Sequence, residues 1–197
     1  MFEGASSPRP HYPACPEPQL AIGTTKHSDP GFLTILLQSQ LVSALQVFYK
    51  DSWLDIQPVQ GALVINIGDL LQLVSNGKYR SNEHRVIANP IGPRISVACF
   101  FSRPFGNTSR SYGPIQELIT QENPAIYKVI VIEDYLMKFL NSGLDSYRAL
   151  DYYRVTKMVI EMDKASELKL NYIWSVLSFT SKFMYEIIKT LCVNSLT

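Results

Sequence analysis

Residues 84–102 read HRVIANPIGPRISVACFFS, two runs rich in Val, Ile and Phe parted by Asn89-Pro90 and Gly92-Pro93. β-Branched and aromatic residues suit a pleated surface, and proline continues neither a ladder nor a helix, so the stretch reads as strand, turn, strand. The same texture extends outward through FLTILLQ (32–38), ALQVFYK (44–50), SWLDIQP (52–58) and ALVINIG (62–68). YKDSW (49–53) reads as a hairpin between 45–49 and 53–57. Short strands at this density, without long helices between them, imply an antiparallel sandwich, barrel or jelly roll. One short helix fits GDLLQLVSNG (68–77), with Asn66, Gly68 and Asp69 setting the turn out of the strand and capping it and Asn76 or Gly77 closing it. Another fits about 133–142, stopped by Asn141-Ser142-Gly143.

Bulk properties narrow the function classes. The 197 residues suffice for one domain with a sizeable core, and 46% apolar with 18% charged residues is a globular composition. A net charge of +1, without a basic stripe, gives no electrostatic case for a nucleic-acid or membrane partner. Cys15, Cys99 and Cys192 are odd in number and widely spaced, which suits reduced thiols. The N-terminus lacks the pattern of a secretory signal, and the apolar 172–193 stretch is broken by Lys182, Glu186 and Lys189. The expectation is a soluble, cytoplasmic protein.

Chemistry concentrates in a few residues. The chain has three histidines, and His27 stands two positions before Asp29. On a strand these two side chains face one side and offer a nitrogen and an oxygen to a first-row divalent metal. His84 is the candidate third ligand, completing a set of two histidines and one carboxylate that leaves coordination positions open. A lone His-x-Asp is frequent by chance, and His84 by itself reads as a surface or hydrogen-bonded histidine. The combination gains weight from Arg94 and Ser96, which alternate onto one face of the last β-run. An inward guanidinium is costly without an anion, and a dicarboxylate gripped by Arg94 and Ser96 is the natural partner.

HSDPGFLTILLQ, GALVINIGDLLQLVSNGKYRSNEHRV and PRISVACFF closely resemble the plant iron(II)/2-oxoglutarate-dependent dioxygenases. They are most similar to aminocyclopropane-carboxylate oxidase homologues and alkaloid hydroxylases. The resemblance runs from about Tyr12 to Val155. It implies a mainly β fold, a double-stranded β-helix (jelly roll) with C-terminal helices. It also implies that His27, Asp29 and His84 hold Fe(II), that Arg94 and Ser96 bind the distal carboxylate of 2-oxoglutarate, and that Tyr12 hydrogen-bonds the same cosubstrate. Phe100, on the face of Arg94, would line the substrate pocket; plain core packing is the equal alternative. An Arg-x-Ser pair also occurs in the true aminocyclopropane-carboxylate oxidases, so that pair alone does not decide the cosubstrate. The implied reaction consumes O2, releases succinate and CO2, and hydroxylates or desaturates a small plant secondary metabolite, with ascorbate as an accessory. No catalytic group is expected beyond the metal centre.

Three departures from the family pattern shape the remaining expectations. Relatives carry a long region ahead of His-x-Asp, whereas 26 residues precede His27 here. The family has Asn two positions before the tyrosine, and this chain has Pro10. The resemblance ends near DYYRV, and 42 residues follow it. The expected division is a remnant N-terminal segment and first strand (1–20), the jelly-roll core (21–105), a C-terminal region with a covering helix (106–155) and an atypical extension (156–197). The alternative to an active oxygenase is an impaired remnant that keeps a metal-binding jelly roll without a complete substrate pocket. A zinc site for hydrolysis is a third idea, in which Arg94 and Ser96 would have no task.

Overall fold

A computed structural model describes residues 4–6, 8–39, 42–102, 110–141 and 148–155. The 156–197 extension, Cys192 and the helix stop expected at Ser142-Gly143 lie outside the described residues. The longest strand, β9 (Arg94–Ser102), organises the larger antiparallel sheet. β4 (Leu33–Gln38) pairs along one side of it, and β7 (Val64–Ile67) pairs with β4. On the other side of β9, β1 (Gly4–Ser6) meets one end and β2 (His11–Tyr12) the other. Between these two short strands the carbonyls of Pro8 and Pro10 accept the N–H groups of Ala98 and Ser96. Prolines fit here because each needs only to accept.

The smaller sheet has the order β3 (Ile22–His27), β8 (His84–Ile87), β5 (Leu45–Tyr49) and β6 (Ser52–Asp55). β5 and β6 form the hairpin expected at YKDSW, with Lys50 and Asp51 both at positive φ (45° and 61°). Such a turn matches the twist of the flanking strands. Leu36 and Ala98 of the large sheet share one buried cluster with Leu45 and Val86 of the small one. The two sheets therefore face each other, as a jelly roll requires.

A second cluster lies beside the sheets. Leu70 and Leu73 of α1 (Asp69–Val74) pack with Ile132 and Tyr135 of α2 (Ile132–Asn141), together with Tyr127, Ile130, Ala149 and Leu150. Each fully buried aliphatic side chain of this size contributes about 1.5–3 kcal/mol. α1 closes as expected, with Asn76 and Gly77 at positive φ and the Gly77 N–H returning to Gln72 O. A two-stranded ribbon, β10 (Ser111–Tyr112) with β11 (Ile130–Val131), leads into α2. Among the described residues no helix is long and apolar enough to cross a membrane.

One strand of the smaller sheet escaped the sequence reading, as did the short β10 and β11. β3 is IGTTKH, with Ile22 its single large apolar residue, and propensity gives it little signal. It also stops at His27, so Asp29 sits in the loop beyond it and not on the strand, as had been expected.

Candidate functional site

Strand pairing brings together residues far apart in sequence. His27 and His84 are direct partners across the β3–β8 ladder, their ring centroids 4.3 Å apart. The chain turns after β3, and Asp29 comes back to them. Its Oδ1 stands 3.9 Å from His27 Nε2 and 3.6 Å from His84 Nε2. One donor atom from each of the three residues lies within 4.8 Å of the others, a cluster able to hold a metal ion.

The surrounding hydrogen bonds suit that use. His27 Nδ1 donates to Thr25 O at 2.8 Å and His84 Nδ1 to Asn82 O at 3.2 Å. With the proton held at Nδ1, each Nε2 keeps its lone pair for a metal. Asp29 divides its oxygens in the same way. Oδ2 accepts from Thr34 Oγ1 at 2.6 Å and from Asn66 Nδ2 at 3.4 Å, which leaves Oδ1 facing the imidazoles. Burial pushes His84 below the usual imidazole range, partly offset by the nearby Asp29 carboxylate. A neutral His84 is the form a metal needs.

The inner faces of β4 and β9 carry polar residues beside the apolar Leu36 and Ala98, where a sheet core is ordinarily apolar throughout. On β9, Arg94 and Ser96 are buried and Ile95 is 47% exposed; on β4, Thr34 and Gln38 are buried and Leu37 is 51% exposed. Arg94 Nη1 donates to Ser96 Oγ at 3.2 Å, and Nη2 reaches Gln38 Oε1 at 3.3 Å. Its Nε is buried without a partner. Desolvation lowers the pKa of this guanidinium, and among the described residues no carboxylate neutralises it. A buried cation of this kind is incomplete without an anion.

Tyr12 is the cross-strand partner of Arg94, whose guanidinium carbon lies 5.4 Å from the centre of the tyrosine ring. The Tyr12 hydroxyl and Thr24 Oγ1 share a 2.7 Å hydrogen bond. Phe100 stands opposite Thr34, beside the carboxylate holder, and also packs on the cluster between the sheets. Thr34 and Gln38 lie four residues apart on β4, so the His27–Asp29–His84 cluster and the guanidinium are anchored about 13 Å apart along one strand.

Sequence reasoning missed Thr34 and Gln38, although both sit in a quoted run with Leu36 between them on the inward phase. Asn66, Gly68 and Asp69 were read as turn and cap residues. Gly68 is indeed the N-cap of α1, but without a side-chain cap bond; Asn66 reaches Asp29, and Asp69 is fully buried. The shallow depression of about 240 Å³ formed by Ile22, Thr25, Lys26, Trp53 and Arg85 is lined by none of the predicted site residues. Arg85 there lies over the Trp53 ring at 4.1 Å.

Comparison with known proteins gives a consistent result. Residues 7–103 match the model of the 2OG-Fe(II) oxygenase superfamily. The 1-aminocyclopropane-1-carboxylate oxidase homolog 12 of Arabidopsis thaliana is 52% identical over 145 residues, 74% of this chain and 39% of that protein. Deacetoxyvindoline 4-hydroxylase of Catharanthus roseus is 49% identical over 149 residues, 74% of this chain and 37% of that one. The chain thus spans about two fifths of the length of these curated relatives. Among solved structures, JOX2 in complex with 2OG, Fe and JA superposes with a TM-score of 0.69 at 36% identity, covering 77% of this chain and 44% of the other. A rice dioxygenase for auxin oxidation gives 0.68 at 27% identity, covering 77% and 51%.

Proposed function

Through residues 7–103 the chain belongs to the 2OG-Fe(II) oxygenase superfamily, and from that membership we propose that it oxidises a small plant metabolite with Fe(II) and 2-oxoglutarate. The carrying observation is the convergence of His27, Asp29 and His84 within 4.8 Å, with Arg94 buried on the facing sheet and neutralised by no carboxylate among the described residues. The donor set of two imidazoles and one carboxylate suits Fe(II) and leaves positions open for other ligands. When bound, the iron supplies the oxidative chemistry by which R–H, O2 and 2-oxoglutarate become R–OH, succinate and CO2.

The chain's own residues supply position and charge. Thr25 O and Asn82 O fix the tautomers of the two histidines, and Thr34 and Asn66 hold the far oxygen of Asp29. Arg94 and Ser96 take the distal carboxylate of 2-oxoglutarate, the guanidinium supplying charge and its free Nε another donor. Tyr12 walls the guanidinium on one side and joins the cosubstrate site through its hydroxyl, now shared with Thr24. Phe100, opposite Thr34, lines the substrate side of the metal. Residues 21–105 form the oxygenase core on this reading, with 1–20 as an edge segment, 106–155 as a cover and 156–197 as an extension. A cytoplasmic setting and a C–H hydroxylation or desaturation belong to the same proposal. The 4-hydroxylase among the relatives favours hydroxylation.

The test is succinate formation from 2-oxoglutarate under O2, with a panel of small plant metabolites as acceptors. Succinate that requires added Fe(II) and disappears in His84→Ala supports the proposal. Folded protein that yields none under any acceptor would instead favour the impaired remnant.

A further inference from the structure

Asp69 is an unusual first residue for a helix. An aspartate in the first turn of a helix ordinarily sits at the surface near the N–H groups, but this one is fully buried and caps nothing. Its carboxylate is saturated by partners from three distant segments. Ser28 Oγ donates to Oδ2 at 2.9 Å and Tyr135 Oη donates to the same oxygen at 2.7 Å. Arg148 Nη2 donates to Oδ1 at 3.0 Å. Ser28 lies between His27 and Asp29; Tyr135 belongs to α2, and Arg148 opens the helical turn at Ala149–Tyr153.

The backbone around Asp69 grips the same loop. The first N–H groups of a helix have no partner within it. Here Gly68 N–H donates to Phe32 O at 3.0 Å, Asp69 N–H to Asp29 O at 2.8 Å and Leu70 N–H to Gly31 O at 3.0 Å. A Cβ on residue 68 would run into Gly31 O, so glycine is what lets α1 come this close. The loop that carries Asp29 is thereby held at its carbonyls by α1 and at Ser28 by the Asp69 side chain.

A buried ion pair of this kind is poor value as glue, because apolar residues of equal volume stabilise at least as well. What it does provide is a defined position for Ser28 and the Asp29 backbone. We propose that Asp69 is a positioning residue for the metal ligand Asp29, and that Tyr135 and Arg148 tie the geometry of the metal site to the docking of α2. The inference rests on the metal reading of His27, Asp29 and His84 given above.

The experiment titrates the full chain with Co(II), a spectroscopic probe for the same donor set, well below the thermal midpoint of every variant. The parent is compared with Asp69→Asn, Tyr135→Phe and the core control Ile130→Val. Asp69→Asn keeps the shape of the side chain but turns one acceptor into a donor facing donors. The expected result is Co(II) affinity lower by about 10- to 100-fold in Asp69→Asn, the range for lost outer-shell partners. A smaller loss is expected in Tyr135→Phe, and none in Ile130→Val although its midpoint falls. Parent-like affinity in Asp69→Asn and Tyr135→Phe, with lowered midpoints alone, would show a purely structural carboxylate and overturn the inference. If Asp69→Asn does not fold, Tyr135→Phe decides on the same criterion. A folded parent that binds no Co(II) would defeat the metal reading itself, and this inference with it.

Discussion

His84 Nε2 faces Asp29 Oδ1 at 3.6 Å while its Nδ1 is occupied by a backbone carbonyl. Burial lowers the pKa of His84, and the carbonyl contact at Nδ1 turns its Nε2 toward Asp29, an arrangement that suits a metal ligand. Replacing His84 by Ala should weaken Fe(II) binding by more than the ~10- to 100-fold typical of an outer partner. Equilibrium dialysis against Fe(II) under argon measures this, and an unchanged affinity would remove His84 from the site.

Arg94 faces a different part of the chemistry. Arg94→Lys keeps the charge but loses the planar fork, at a cost of about 1.5–3 kcal/mol for a hydrogen bond to a charged group. The concentration of 2-oxoglutarate needed for half-saturation should rise about 10- to 150-fold, while metal affinity stays at the parent value. An equal loss of both would place Arg94 in general folding and not in cosubstrate binding.

Thr34 is a separable support of Asp29. Thr34→Val preserves shape but removes the 2.6 Å hydrogen bond to Oδ2, which is why this exchange is not a neutral one. Metal affinity should fall by about tenfold with 2-oxoglutarate affinity at saturating metal unchanged. Isothermal titration with Mn(II) distinguishes the two, and parent-like Mn(II) binding counts against the assigned role of Thr34.

Tyr135 gives the chain an alkaline limit. Burial, followed by the neighbouring Asp69 carboxylate, raises its pKa well above the ordinary value of 10. Above pH 10 the unfolded chain releases that proton and the folded chain retains it, so the folded state binds more protons and stability falls as pH rises. Below pH 10 the contribution is complete and flat. The slope approaches about 1.4 kcal/mol per pH unit for one proton. Urea melts from pH 9 to 11.5 should show a steeper decline in the parent than in Tyr135→Phe. Equal slopes would mean that Tyr135 titrates normally in the folded chain.

The fold was legible wherever strands are apolar on a period of two. β4, β5, β7, β8 and β9 coincide with runs visible as Val, Ile, Leu and Phe, and the hairpin turn at Lys50-Asp51 follows from its length. β3 was not legible, because its polar composition is tolerated by pairing with β8 and not dictated by propensity. His27-x-Asp29 and Arg94-x-Ser96 stand out by their short spacing; β9 turns Arg94 and Ser96 inward together, whereas Asp29 approaches His27 from the loop after β3 and not along a strand. Thr34 and Gln38 could not, since only the β4–β9 register reveals that their face is the site interior. Asp69 was harder still. Its partners are 41, 66 and 79 positions away, and local reasoning turned a buried junction into a helix cap.

The most direct measurement is an anaerobic titration of the Fe(II)-loaded full chain with 2-oxoglutarate, following the weak visible charge-transfer absorption of a chelated 2-oxo acid. The account predicts a saturable band in the parent, no band in His84→Ala, and a band in Arg94→Lys that needs far more 2-oxoglutarate. Folded parent that shows no band at any 2-oxoglutarate concentration would contradict the assignment of these residues to iron and cosubstrate.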